Sequence, residues 1–367
     1  MFPYILLLIV LIFGVCYELG IFSGRVCYKH TGMHDLYFTC GCLLAFILTG
    51  FRDMMGGYDV FVYASFFDSV PTLNSILNIQ TYDPKLFAHF EPGYLLINSI
   101  IKTLYTNTYF FFFTVALLVY SFVYSTLYRY PFMLFSFFIF VSKFFIVGFV
   151  YTRQFIAMSI IWFALKFLEN NKKYIFLIFL FIAASIHYSA LTVSLILLIY
   201  KWRFSQKILL ILFVVSLFLG ITPFIKILMS FVNQYMSMDK LDGYAEKAQS
   251  VFHIPYFIET SFMAFMSLKY RDKIYKMSPR YVIMYNMLVL YIVFSYLTLR
   301  DAGVVRFIWY FVVGYLTLFP ILVYKLVKSR WLLIFFAVLY FSFVYFRNVT
   351  VRDDGSNVPY RTFILKN

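Results

Sequence analysis

Side chains able to do chemistry gather at four places in this 367-residue chain. The first is GFRDMMGGYDVFVY, residues 50–63, where Arg52, Asp53 and Asp59 surround the Gly56–Gly57 pair. Glycine lets a backbone turn sharply or approach a ligand closely. Further on, AHFEPGY sets His89, Glu91 and Pro92 side by side. The second place is Arg153–Gln154 in YTRQFIAMSI, at the opening of an apolar run, and the third is His187 in AASIHYSAL. The fourth is LTLRDAGVVRFIWYF, with Arg300, Asp301 and Arg306. Arg300 and Asp301 can pair with each other. Arg306 lies inside an apolar run with no adjacent acid, so an anionic ligand is its natural partner.

Each place also has a plain structural reading. Charges at 52 and 53 suit a solvated loop. An arginine at the end of an apolar helix can snorkel to headgroups, and a lone histidine on such a helix is often only packed. Against this, ionisable groups within membrane-spanning segments are functional hypotheses by default. Guanidinium forks match phosphate oxygens in bidentate pairs. Histidine takes up a proton near neutral pH, as a general base must. Arginines, a histidine and carboxylates together fit a cavity that holds a lipid pyrophosphate while a base activates a hydroxyl.

The elements that must position these residues are hydrophobic helices. The chain is 63% hydrophobic and 13% charged, with mean hydropathy +0.84. Soluble domains are about 45–50% apolar and about 25% charged, so this chain lacks the polar coat that water requires and suits lipid. Apolar runs fall near 3–22, 36–51, 109–128, 131–149, 154–168, 174–200, 207–229, 255–268, 281–299, 304–324 and 331–346. The run from Met1 to about Phe22 has no basic leader and no small-residue cleavage site, so it reads as a first span and not as a removed signal. The shorter segment 93–105 carries Lys102 and reads as an interfacial helix.

Orientation follows from lysine and arginine. Basic loops at Arg25/Lys29, Lys172/Lys173, Lys201/Arg203/Lys207, Lys269–Arg280 and Lys325/Lys328/Arg330 are assigned to the cytoplasm. The more acidic stretches 52–92, 230–254 and the tail from Arg347 are assigned to the outside. All four chemical sites then fall on the outer side. The loops flanking 174–200 both read as cytoplasmic, so this run must cross an even number of times. At about 1.5 Å per residue it is too short for two ordinary spans. It is predicted to break near Ile186–His187–Tyr188, and a break at membrane depth is tolerated where it lines a cavity or is buried in protein. The alternative is one long tilted span with a misassigned loop. The broken reading gives about twelve crossings, both termini outside, and one transmembrane domain over 1–367.

Several classes are set aside. The net charge of +15 sits in short clusters between spans, which argues against nucleic acid. Most of the 49 Phe and 33 Tyr are expected to face lipid or pack. Cys40 and Cys42 form one C-x-C with no second pair for a zinc site. Glu18, Lys143, Lys226 and Glu259 read as snorkelling groups or interhelical pairs.

The ordered series GFRDMMGGYDVFVY, FEPGY, TRQFIA, SIHYSAL, RFIWYF and VPYR resembles the EpsG family, grouped with Wzy-type polysaccharide polymerases of bacterial envelopes. The resemblance runs over nearly the whole chain. It implies an all-α membrane fold of the GT-C-like glycosyltransferase kind. The implied activity joins oligosaccharide repeat units carried on undecaprenyl pyrophosphate, at the outer face of the cytoplasmic membrane. A flippase and a chain-length regulator are the implied partners, and no cofactor is implied. The D-x-D metal motif of many nucleotide-sugar transferases is not evident, and Asp53 with Asp59 leaves a metal route open. On this reading Arg153 and Arg306 take the pyrophosphate, with Arg52 and Arg300 secondary. His187 is the favoured base, then Glu91, then Asp59. Asp53, Tyr63 and Gln154 are further substrate contacts. Three rivals share the features: a metal-dependent polyprenyl-phosphate-sugar transferase, a glycan ligase and a lipid-linked saccharide flippase.

Overall fold

The computed structural model describes residues 1–22, 32–77, 90–224, 227, 252–300 and 304–365. His89, Asp301, Lys226 and the Arg25/Lys29 loop lie outside the described residues. The described residues are helical, with no strand among them. In chain order the main helices are α1 Phe2–Glu18, α2 Gly32–Gly50, α3 Gly57–Ser69, α4 Pro92–Leu104, α5 Thr108–Leu127, α6 Met133–Phe144 and α7 Thr152–Glu169. There follow α8 Lys173–Ile186, α9 Gln206–Ile221, α10 Ile254–Tyr275, α11 Pro279–Leu297, α12 Val312–Ile321 and α13 Arg330–Val351. Among the described residues, five helical runs are long and apolar enough to cross a membrane: α2, α5, α11, Arg306–Leu326 and α13. Shorter apolar helices of 10–17 residues include α1, α6, α8 and α9. The chain is thus an integral membrane protein by its helices.

The chain divides into two compact units, one of residues 1–164, 174–191 and 323–367, the other of 165–173 and 192–322. In the first unit, α1 packs on α2 and α6, α2 on α5, and α6 on α13. The buried Glu18 ties three of these helices at one end. Its carboxylate accepts from His34 Nε2 at 2.7 Å and from the amides of Leu134 and Phe135 at 3.0 and 2.9 Å. Those amides are otherwise unsatisfied donors of the first turn of α6, where negative charge is favoured. Of the two readings open for Glu18, the interhelical pair is the one observed. The opposite end of α2, about 28 Å away for 19 residues, carries Arg52 and the segment leading to α3.

The second unit is built on α11, which packs against α9, α10 and α12. A Cβ at Gly314 would lie 2.4 Å from the Leu288 amide. Glycine there lets α11 and α12 approach closely, as small residues do between membrane helices. Asn286, fully buried on α11, donates to the carbonyls of Ile199 and Trp202.

The expected interruption of 174–200 falls at His187. The α-helix ends at Ile186, and the chain resumes as a 3₁₀ stretch over Tyr188–Ser194 and a short helix Leu195–Ile199. The segment expected at 93–105 is the amphipathic helix α4, with Tyr94, Leu95, Asn98 and Ile101 buried and Leu96, Ile100 and Leu104 exposed.

Candidate functional site

The site is assembled around Glu91, which precedes α4. The next residue is Pro92, which drives its predecessor out of helical geometry and suits the first position of a helix. Glu91 is accordingly extended, at φ −69° and ψ 148°, and its side chain does not cap its own helix. It reaches outward to two other elements. Oε1 meets His187 Nδ1 at 3.0 Å, and Oε2 accepts from an Arg153 terminal nitrogen at 2.5 Å. The Tyr188 amide, freed where α8 breaks, also points at Oε1, at 3.4 Å. Glu91 is nearly enclosed, with its side chain 8% exposed, while Arg153 and His187 keep 22% and 25% exposure.

The FEPGY motif supplies each part of this geometry. A Cβ at Gly93 would lie 2.1 Å from Ser185 Oγ and 2.8 Å from the Ser185 carbonyl carbon. Only glycine lets the first turn of α4 sit against the end of α8, and that approach carries Glu91 to His187. Phe90 packs on Phe66 with ring centroids 3.9 Å apart. The Arg153 guanidinium lies over Phe90 at 4.6 Å and over Tyr94 at 5.7 Å. Cation–aromatic contacts of this kind attract and orient the guanidinium. From α3, the Tyr63 hydroxyl hydrogen-bonds Arg153 as well.

These contacts fix protonation. Burial pushes the Glu91 carboxyl up, but the His187 hydrogen bond and the Arg153 charge outweigh it and hold it at about 2. The ionised carboxylate only accepts hydrogen bonds. In this contact His187 Nδ1 is therefore the donor. A carboxylate held this low is itself a weak base. Arg153 occupies the first turn of α7, where the helix end is itself positive. It is held there by Glu91, Tyr63 and the aromatic shelf.

Other residues singled out in the sequence have different surroundings. Arg52 is buried and donates to main-chain carbonyls: Nε to Met55 at 3.1 Å, and the terminal nitrogens to Thr49 at 2.7 Å and Phe149 at 3.3 Å. Its guanidinium also lies over the rings of Phe112 and Phe149. These contacts make Arg52 a brace between the end of α2 and the chain before α7. Asp53, also buried, accepts from the Tyr109 hydroxyl at 2.8 Å. Asp59 stands in the first turn of α3, one turn before Tyr63. Gln154 is buried beside Arg153 in sequence. Arg300 and Arg306 belong to the second unit, Arg300 exposed and Arg306 half-buried at the start of the run Arg306–Leu326. Among the described residues, no three His, Cys, Asp or Glu side chains come together as a metal-ligand group.

The structure thus unites Glu91, Arg153, His187 and Tyr63. Phe90 and Tyr94 complete the group. Both stood inside the FEPGY motif but carried no charge to mark them.

The EpsG family model matches residues 35–362. That span contains every residue described in this site. No curated protein and no solved structure matches the chain.

Proposed function

We propose that this chain, which belongs to the EpsG family, is a polysaccharide polymerase that joins repeat units carried on undecaprenyl pyrophosphate. In this reading about twelve crossings form a GT-C-like membrane domain with both termini outside. Helix α4 lies along the outer surface of the cytoplasmic membrane. The observation that carries the proposal is Glu91 bridging His187 and Arg153. One carboxylate sets a histidine and an arginine beside each other, as a base next to an anion site.

The reaction follows from that arrangement. A hydroxyl oxygen of the incoming repeat attacks C1 at the reducing end of the growing chain. The bond from C1 to the phosphate oxygen breaks, and undecaprenyl pyrophosphate departs with the bonding pair. The hydroxyl proton passes to His187 Nε2. A pyrophosphate leaving group needs charge stabilisation more than protonation, and Arg153 supplies it. Single displacement of this kind inverts C1. On charge alone, Arg306 and Arg300 are assigned as further anion contacts. Arg52 is assigned to bracing the loop before α3.

The test is the length of lipid-linked glycan made by the purified protein from a defined repeat unit. The wild type should lengthen the chain, and should do so in EDTA. His187→Ala should slow it by roughly 10²–10⁴-fold. Lengthening at the wild-type rate by His187→Ala would refute the base assignment. Activity lost in EDTA and restored by magnesium would favour a metal route through Asp53 or Asp59.

A further inference from the structure

The end of the chain folds back onto the segment joining α2 to α3. Beyond α13, the Asn357 carbonyl accepts from the Tyr4 hydroxyl at 2.9 Å. The Tyr360 hydroxyl donates to the Leu48 carbonyl at 3.2 Å, and its ring stands edge-on to Tyr4. Next, the Asp53 amide donates to the Arg361 carbonyl at 2.9 Å, and the Arg361 amide points at Met55 Sδ at 3.2 Å. The Thr362 hydroxyl donates to the Phe51 carbonyl at 2.6 Å, and Arg52 and Thr362 form an isolated antiparallel bridge. Phe363 stacks on Tyr109 at 4.4 Å and on Phe51 at 6.0 Å between centroids. Tyr109 in turn holds Asp53.

The segment gripped in this way runs into two glycines. Gly56 and Gly57 have φ +126° and +68°, conformations open to glycine at little steric cost. A Cβ at Gly56 would lie 2.8 Å from the Phe149 carbonyl oxygen, so this turn is packed as well as glycine-dependent, and α3 beyond it packs on α4 and α5. Helix α3 begins at Gly57 and carries Tyr63 onto Arg153. The direction in which α3 leaves the loop decides whether Tyr63 meets the guanidinium. The last turn of the chain grips residues 51–55 through both main-chain groups of Arg361, a hydroxyl and a stacked ring.

We propose that Thr362 and Phe363 are positioning residues for the site: they clamp residues 51–55, fix the direction of α3, and so hold Tyr63 on Arg153. The activity consequence rests on the polymerase reading above, whereas the clamp itself does not. A misplacement of about 1 Å at a reacting group costs on the order of 10²-fold in rate. Loosening the clamp should therefore lower turnover while leaving substrate affinity nearly intact.

The experiment uses the full chain in lipid nanodiscs and compares Thr362→Val with Phe363→Leu, the double variant, Thr362→Ser, and Ile364→Ala. The Ile364 side chain is 57% exposed, so Ile364→Ala is the control. Two readouts run in parallel: kcat and KM for glycan lengthening, and hydrogen–deuterium exchange over 51–63. The double variant should lose roughly 10–100-fold in kcat with KM little changed, and its exchange over 51–63 should rise. Thr362→Ser keeps the hydroxyl and should restore both, and Ile364→Ala should match the wild type. If the double variant does not accumulate, Thr362→Val, which loses only the hydroxyl's bonds to the Phe51 carbonyl and the Ile364 amide, carries the test. Unchanged exchange would overturn the clamp. Faster exchange with wild-type kcat would overturn its role in the site. A wild-type protein that makes no polymer would instead refute the polymerase reading, with the exchange arm still deciding the clamp.

Discussion

Replacing Arg153 by lysine separates charge from geometry at the centre of the site. Lysine keeps the positive charge and can keep the contact with Glu91. It loses the planar fork that bonds two partners at once. In the structure one terminal nitrogen already serves Glu91, Tyr63 takes a further hydrogen bond, and the guanidinium plane lies over Phe90 and Tyr94. Holding a pyrophosphate oxygen in addition requires a further N–H at a fixed angle, which a single ammonium group already pulled toward Glu91 cannot supply. Stability should change little, because the buried Glu91 keeps a cationic partner. Turnover should fall by roughly 10²–10³, the cost of one lost preorganised charge-stabilising donor. The assay is single-turnover lengthening of a defined lipid-linked repeat at matched protein abundance, with the thermal midpoint recorded for both proteins. Wild-type turnover by Arg153→Lys would show that the arginine only pairs with Glu91 or reaches headgroups, and the anion site would have to be sought elsewhere. Arg306→Lys puts the same question independently in the second unit.

Glu91→Gln should destabilise the protein by roughly 3 kcal/mol, since a carboxyl moved from 4.5 to about 2 reflects about 1.36 kcal/mol per pH unit. The folded value is depressed, so this contribution is present in full above about 4.5 and fades as pH falls toward about 2. Thermal midpoints of wild type and variant should therefore differ at pH 7 and draw together in acid, and an equal gap at both ends would contradict the ion-pair account. Gly93→Ala places a methyl 2.1 Å from Ser185 Oγ, and should cost roughly 1–3 kcal/mol and most of the turnover. Normal activity there would mean that α4 and α8 need not touch. For orientation, a cysteine at position 68 should react with an impermeant label in intact cells, and one at position 276 only after permeabilisation. The reverse pattern would move the site to the cytoplasmic face.

What the sequence alone determined is whatever depends on local composition. Too few charges for water imply a helical membrane protein, because only lipid tolerates so little polar surface. The break at His187 was legible too, since charge placement and run length are both read along the chain. The short motifs GFRDMMGGYDVFVY to VPYR were legible as a family series for the same reason. Which of those motifs touch is a different matter. Glu91 meets Arg153 across 62 residues and His187 across 96, and no spacing rule predicts such contacts. They depend on how α4, α7 and α8 register against one another, and Gly93 sets that register by close approach. Arg52 shows the limit most plainly. The sequence offers it as a secondary pyrophosphate ligand after Arg153 and Arg306, and only the fold shows its donors on the main-chain carbonyls of Thr49, Met55 and Phe149. The tail was legible only as VPYR, without a partner, because Thr362 reaches Phe51 across 311 residues. Chemistry of this kind is named by residue type, but it is the tertiary fold that decides which charges face each other, since a side chain's role follows from what is left within its reach once the helices have packed.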